Sequence, residues 1–406
     1  MSILNVNQIQ PVGSGQTITV SATDITASSS TISANSFSGN VTGNINATGI
    51  STFNVITGVS TIGVTTIHVT GINDLTYPTA GPLGRRNLII NGRFDFWQRG
   101  TSFTGGEYTA DRWFQALSGG TSTVSRQSFT LGQTEVPGNP VYYLQQSCSV
   151  GNGNCGINQK IEDVRTGAGG PVTVSFWAKG TNPPGYGYWA MQLWQRFGTG
   201  GSPSATVENN KELTVTSEWK KYTFTYELES VSGKTLGDDN NHNVDLIIRQ
   251  HADDDDTGAW ELNLANVQVE FGRNATEFEH RSYGEELALC QRYYYKTIGD
   301  DEYETIAWAG HFNTTYQYIV VTFPTSMRTE PAVDLGGDLR IVYYDDGSTQ
   351  NNSTDIWSIG NVQLGNNGGY FRLDTDGSWA NKTAGTFIRV DKDNDANAFF
   401  DFDSEL

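Results

Sequence analysis

The first 84 residues contain no Lys or Arg, two carboxylates (Asp24 and Asp74) and three aromatic rings (Phe37, Phe53 and Tyr77). Ser, Thr, Gly, Asn, Ile and Val make up most of the rest. With so few large side chains, such a segment cannot bury the apolar area that a monomeric core requires. It does repeat: "GISTF" at Gly49, "GVSTI" at Gly58 and "GVTTI" at Gly63 share one pattern, preceded by "GNVTGN" and followed by "HVTGIN". The offsets of nine and then five residues argue against a strict single-chain solenoid. β-Branched residues alternating with small polar ones instead predict short strands whose apolar faces are covered by a partner chain, most simply another copy of the same chain. The alternative is a disordered Ser/Thr-rich linker, which would leave its Ile and Val in water.

At Arg85 the composition changes. "RRNLIINGRFDFWQRG" spends four arginines and a tryptophan in sixteen residues. Strand patterns follow in "PVTVSFWAKG" from Pro171, "YWAMQLWQRFG" from Tyr188, "KYTFTYELES" from Lys221, "NVDLIIRQ" from Asn243 and "AWELNLANVQVEFG" from Ala259. Tyr222, Phe224, Tyr226 and Leu228 alternate with Thr223, Thr225 and Glu227, the signature of a half-buried antiparallel strand. Five or more such strands between Gly, Asn, Asp and Pro loops predict a β-sandwich of jelly-roll type. Near Tyr283, "YGEELALCQRYYYK" places Leu287, Cys290 and Tyr294 at helical spacings, with Glu early and Arg and Lys late, as the helix dipole favours. Strand patterns then resume in "TIAWAGHF", "YQYIVVTFP", "LRIVYYDD", "GYFRLD" and "TFIRV". The 406 residues therefore read as an all-β chain in three parts: an intertwined N-terminal shaft over 1–84, a jelly-roll-type β-sandwich over 85–282, and a short helix with a second small C-terminal β-sandwich over 283–406.

The formal net charge of −19 sets up a field that repels phosphate backbones and anionic lipid heads, so neither nucleic-acid binding nor membrane insertion is expected. No stretch reaches the roughly 20 apolar residues that span a bilayer. "MSILNVNQIQP" lacks the basic region and apolar run of a secretory signal, which predicts a cytosolic protein or one released by lysis. Three cysteines make no disulfide scaffold. Cys148 and Cys155 bracket the glycine-rich "SVGNGN", a loop able to bring them together, and read either as unpaired thiols in a hairpin or as a bonded pair, while Cys290 reads as a small buried apolar residue.

A catalytic constellation is hard to find. His68, His242, His251, His280 and His311 are scattered with no metal-ligand spacing. "FGTGGSPSATV" carries Ser202 and Ser204 without a nucleophile-elbow pattern, so its glycines read as a turn. Glu285 and Glu286 share one short helix and Asp253 to Asp256 one loop, whereas glycoside hydrolysis needs carboxyls facing each other across a groove. "DKDNDAN" at Asp391 matches the first three ligand positions of a calcium loop through Asp391, Asp393 and Asp395. The match fails at Ala396 and Phe402, where Gly and Glu are required, so both acidic loops read as solvated. Neither a catalytic residue nor a metal ligand is assigned, and no cofactor is expected.

Sugar binding is the remaining chemistry. Pyranose rings present CH faces to aromatic rings and hydroxyls to amide and guanidinium groups. In "YWAMQLWQRFG" one strand face carries Trp189, Met191, Leu193 and Phe197, which reads as core. The other carries Gln192, Trp194 and Arg196, either a glycan platform or a second apolar face at a subunit interface.

"NLIINGRFDFWQRGTSFTGGEYTADRWF", "VSFWAKG", "FGTGGSPSATV", "LANVQVEFGRNATEFEHRSYGEELALCQRYY" and "FDFDSEL" resemble the carbohydrate-binding-module-like domain and following domain of bacteriophage tail fibre proteins. "LNVNQIQPVGSGQTITVSA" and "SFSGNVTGNINATGISTF" are similar to the shafts of the same virion proteins, especially those of cyanophages. The resemblance implies that Phe94, Phe96 and Trp97 pack the first strand and turn of the sandwich, that Arg85 and Arg86 mark the junction of shaft and head, and that a structural calcium can accompany the middle domain. It also implies a homotrimeric fibre joined to tail or adaptor proteins through its N-terminus, assembled in the host cytoplasm and released by lysis, that binds host cell-surface polysaccharide without catalysis. The residues themselves assign Arg93, Arg99 and Arg112 to nearby carboxylates such as Asp95 and Asp111.

Overall fold

The computed structural model describes residues 85–406 apart from 149–153, 186, 204–209, 251–257, 300–304, 312–315, 338, 346–347, 376–385 and 391–397. The shaft, and both acidic loops weighed for calcium, lie outside the described residues.

Eleven strands build the sandwich: β1 (Ser102–Phe103), β2 (Phe114–Ser118), β3 (Thr123–Ser128), β4 (Tyr142–Cys148), β5 (Asn154–Glu162), β6 (Pro171–Thr181), β7 (Trp189–Arg196), β8 (Lys211–Leu213), β9 (Lys220–Glu227), β10 (Asn243–Gln250) and β11 (Trp260–Phe271). They form two antiparallel sheets, β1-β3-β4-β11-β6-β9 and β2-β5-β10-β7-β8. The alternation seen in sequence decides which side of each strand is buried. Trp189, Met191 and Leu193 of β7 lie beside Leu246 and Ile248 of β10 and share one buried core with Val174 and Phe176 of β6 and Leu262 and Leu264 of β11 in the other sheet. Trp189 meets Trp260 edge-on, with centroids 4.8 Å apart. Cys148 and Cys155 are both buried in this core.

The arginine-rich stretch closes one end of the sandwich. Phe94, Phe96 and Trp97 are buried as the resemblance implied, Phe94 lying 5.2 Å from the Trp113 ring. The turn is organised by Asn91 at φ 57°. Its Oδ1 accepts from the Phe96 amide at 3.0 Å, and its Nδ2 donates to the carbonyls of Phe96 at 2.8 Å and Asp111 at 3.1 Å. Beside it, Gly92 is required by close approach, since a Cβ there would lie 2.1 Å from the Val267 carbonyl oxygen. That approach is met by a register shift in β11 between Ala265 and Gln268, with Val267 N donating to Gly92 O at 2.8 Å.

Helix α1 (Tyr283–Gln291) is capped by Ser282, whose hydroxyl accepts from Glu285 N. It is shorter than its periodicity suggests. Tyr294 belongs to the next strand, Cys290 is the buried residue of the helix, and its last turn holds no base. Arg292 at the C-cap instead spans to Glu162 of β5 at 2.8 Å. Burial would raise the Glu162 carboxyl, but hydrogen bonds from Arg292 and Tyr293 outweigh it and hold the group below the usual range.

The remaining strands are β12 (Tyr294–Gly299), β13 (Thr305–His311), β14 (Tyr316–Thr322), β15 (Ala332–Gly336), β16 (Leu339–Asp345), β17 (Ser348–Gly365), β18 (Gly368–Thr375), β19 (Thr386–Val390) and β20 (Ala398–Asp403). The second small C-terminal β-sandwich expected from sequence takes the form of a barrel with an added sheet, because the outer strands of its larger sheet pair with each other. β13-β14-β18-β17-β16-β19 close into a barrel, and β12-β20-β15 make a three-stranded sheet beside it. The two share one core in which Phe400 and Phe402 of the sheet lie 5.3 and 6.0 Å from Phe371 of the barrel.

The arginine partners differ in part from the sequence expectation. Arg93 reaches Asp95 at 3.6 Å as anticipated. Arg99 and Arg112 turn to the far C-terminal segment: Arg99 to Asp403 at 2.8 Å and Glu405 at 3.5 Å, and Arg112 to Glu405. Asp111 is taken by Gln98, whose backbone N–H and side-chain amide both donate to it. Arg112 also stacks on Tyr293 at 3.4 Å and Arg99 on Tyr294 at 3.6 Å. These buried cations fasten the sandwich to the C-terminal sheet.

Candidate functional site

Antiparallel register places residues that sit directly opposite each other on the same face of a sheet. In the five-stranded sheet, Trp194 of β7 opposes Asp245 of β10, which opposes Lys160 of β5. One row along, Gln192 opposes Ile247, then Asn158, then Phe114 of β2. The next row holds Ala190, Arg249, Gly156 and Ala116. This face points away from the core, whose side of β7 is filled by Trp189, Met191 and Leu193. Together these strands line a groove of about 250 Å³ that includes Gln192, Trp194 and Arg196, the three residues singled out from sequence.

The groove contains a built polar cluster. Asp245 is buried and accepts from Arg196 Nε at 2.8 Å and Asn158 Nδ2 at 2.9 Å. The Arg196 guanidinium also lies 4.7 Å from the Trp194 ring centroid, so one ion pair orients the cation and the cation orients the ring. Gln192 donates through Nε2 to Asn210. At the rim, Lys160 donates to the Leu406 carbonyl, which also accepts from Tyr108 Oη at 2.9 Å. Burial is the main reason that the Lys160 ammonium is pulled below its usual value. A partly exposed indole beside amide and guanidinium donors can stack a sugar ring and hold its hydroxyls.

Sequence reasoning missed Asn158, Asp245, Ile247 and Arg249. The same alternation that singled out Trp194 was present in "NVDLIIRQ", where Asp245, Ile247 and Arg249 alternate with Val244, Leu246 and Ile248. Which strands lie side by side was not written there.

A larger cleft of about 380 Å³ lies between the 91–96 turn, the start of β4 and the 278–286 segment. Its charges are committed to one another. Arg281 pairs with Glu286 at 3.2 Å and Glu279 at 3.8 Å, and Arg93 pairs with Asp95. Glu286, one of the two helix carboxylates weighed for catalysis, accepts from the Asn91 backbone N–H and so holds the turn to the helix. Among the described residues, no three His, Cys, Asp or Glu side chains gather as a metal site. His242 hydrogen-bonds Val164 N through Nδ1 and lies 3.4 Å from Asp163.

No family model matches the sequence, and no curated protein matches it. Among solved structures, the chain is similar to the enzymatically active domain of tailspike protein 4 from bacteriophage CBA120, at 13% identity and a TM-score of 0.29 over 46% of this chain. It spans 21% of that domain's length. A family 11 carbohydrate-binding module from Clostridium thermocellum, in complex with a β-1,3-1,4-mixed-linked tetrasaccharide, aligns over 43% of this chain and 97% of the module, at 14% identity and a TM-score of 0.26. The xylan-binding CBM22-1 domain from Paenibacillus barcinonensis aligns over 43% of this chain and 94% of the domain, at 17% identity and a TM-score of 0.25.

Proposed function

We propose that this chain is a virion tail fibre of the cyanophage-like kind, which adheres to host cell-surface polysaccharide through the groove on the five-stranded sheet and carries out no catalysis. The observation that carries the reading is the outward cluster of Trp194, Arg196, Asp245, Asn158 and Gln192, held on a sheet whose opposite face is core. A strand face that served only to stiffen the sandwich has no use for a partly exposed indole stacked by a guanidinium that a buried carboxylate holds in place. The fibre works as a homotrimer, its N-terminal segment joined to tail or adaptor proteins, and it leaves the host cytoplasm by lysis. Three copies let sites of modest affinity act together.

The test is a glycan array probed with the full-length protein. Binding should fall roughly tenfold to a hundredfold in Trp194→Ala, the scale of a lost aromatic stack together with its apolar area. Unchanged binding in that variant would move the site elsewhere. Incubation with the bound polysaccharide should leave its chain length unchanged; shortened chains would make the protein a depolymerase.

A purely structural fibre or adaptor is the second reading. On the barrel, Trp308, Val320 and Tyr370 are 72%, 74% and 42% exposed on neighbouring strands, an apolar surface suited to another copy of the chain. A trimeric mass in solution with an empty glycan array would favour that reading, and a monomeric mass would remove the trimer from both.

A further inference from the structure

Three cations belong to the groove and its rim, and two of them are already committed. Arg196 is neutralised by Asp245 and stacked on Trp194. Lys160 donates to the Leu406 carbonyl. Arg249 is different. Among the described residues it forms no ion pair, and its Nε is buried from solvent without a hydrogen-bond partner. Its surroundings keep the side chain uncrowded, because its cross-strand neighbours on either side are Gly156 and Ala190. A Cβ at Gly156 would lie 2.7 Å from Arg249 Cβ, so the Arg249 stem occupies space that any larger residue would take.

Arg249 also stands on the same outward face as the aromatic platform. It is four residues along β10 from Asp245, the residue opposite Trp194, or roughly 14 Å at 3.4 Å per residue. A polymer stacked on Trp194 and following the strands reaches Arg249 a few sugars later. Guanidinium is a planar fork that matches carboxylate with two parallel hydrogen bonds.

Resting on the glycan reading above, we infer that the groove selects an acidic polysaccharide, Arg249 taking the carboxylate of a uronic-acid residue while Trp194 stacks a ring a few sugars away along the same polymer. The overall charge of −19 does not oppose this at contact range. At physiological salt, charges beyond about 8 Å are largely screened, whereas a paired guanidinium and carboxylate are in direct contact. Asp245 carries the groove's own negative charge, and Arg196 neutralises it.

The experiment uses full-length protein with alginate, polygalacturonate and hyaluronan, each beside its carboxyl-reduced derivative, and measures affinity by titration calorimetry. At least one acid polymer should bind about tenfold more tightly than its reduced form, the effect of roughly one charge-assisted pair. Arg249→Gln should abolish that ratio by weakening the acid polymer about tenfold more than the reduced one. Arg249→Lys, which keeps the charge but loses the fork, should retain part of the ratio. Trp194→Ala should weaken both forms together. Equal affinity for acid and reduced polymers, or a ratio that survives Arg249→Gln, would overturn the carboxylate assignment and leave glycan binding standing. Failure to bind any acid polymer overturns it as well, and the glycan reading falls with it only if the array is also empty. Matching melting temperatures across the variants keep folding out of the comparison.

Discussion

Glu405→Gln is expected to lower the melting temperature by roughly 10 °C, because it leaves a fully buried guanidinium without its counter-charge. Breaking one partner of a buried pair costs about 3–5 kcal/mol, and a domain of this size loses about 2–4 °C per kcal/mol. The Glu405 and Arg112 side chains are 4% and 1% exposed, so water cannot replace the lost partner. Burial alone would pull the Arg112 guanidinium below its usual value, and Glu405 outweighs it and holds the group above. Arg112 would keep its bond to the Lys160 carbonyl at 2.6 Å and its stack on Tyr293, neither of which carries a formal negative charge. Arg99 keeps Asp403 at 2.8 Å, so the loss falls mainly on Arg112. Scanning calorimetry measures the shift. The exposed pair of Arg165 and Asp163 is the control, and Arg165→Gln should leave the melting temperature essentially unchanged. If both variants melted alike, the C-terminal segment would not be fastening the two domains.

Asn91→Ala should cost about 4 kcal/mol, measured by urea unfolding. Three buried hydrogen bonds from one side chain hold the 91–97 turn, and each buried group left unpaired costs about 1–3 kcal/mol. Part of the loss is backbone, because φ of 57° suits Asn and Gly but strains Ala by about 1–2 kcal/mol. Asn91→Gly separates the two contributions: it relieves the backbone and still loses the hydrogen bonds, so it should be more stable than Asn91→Ala by about 1 kcal/mol. Equal stability of the two variants would mean that the backbone conformation is unimportant. A loss below about 1 kcal/mol in both would mean that the turn is held by Phe94 and Trp113 packing alone.

The candidate site was half legible in sequence. Gln192, Trp194 and Arg196 could be assigned to one outward face because side-chain direction in a strand alternates with a period of two, a property of the local chain. Their companions Asn158, Asp245 and Arg249 come from strands 30 or more residues away, and they join the groove through cross-strand register.

The all-β character and strands such as β6, β7, β9, β10 and β11 were determined by the sequence itself, since they follow from side-chain size and spacing within a few residues, whereas the burial of Phe94, Phe96 and Trp97 was implied by the resemblance. Tertiary structure alone decided that Asp111 serves Gln98 while Arg99 and Arg112 find Asp403 and Glu405, with Arg99 and Asp403 304 residues apart. It likewise ended the helix at Gln291 and closed six C-terminal strands into a barrel. The physical reason is the same for each. The entropy of closing a loop grows only logarithmically with its length, so a distant carboxylate competes on nearly equal terms with a near one, and the partner is settled by which atoms the packed sheets bring within reach.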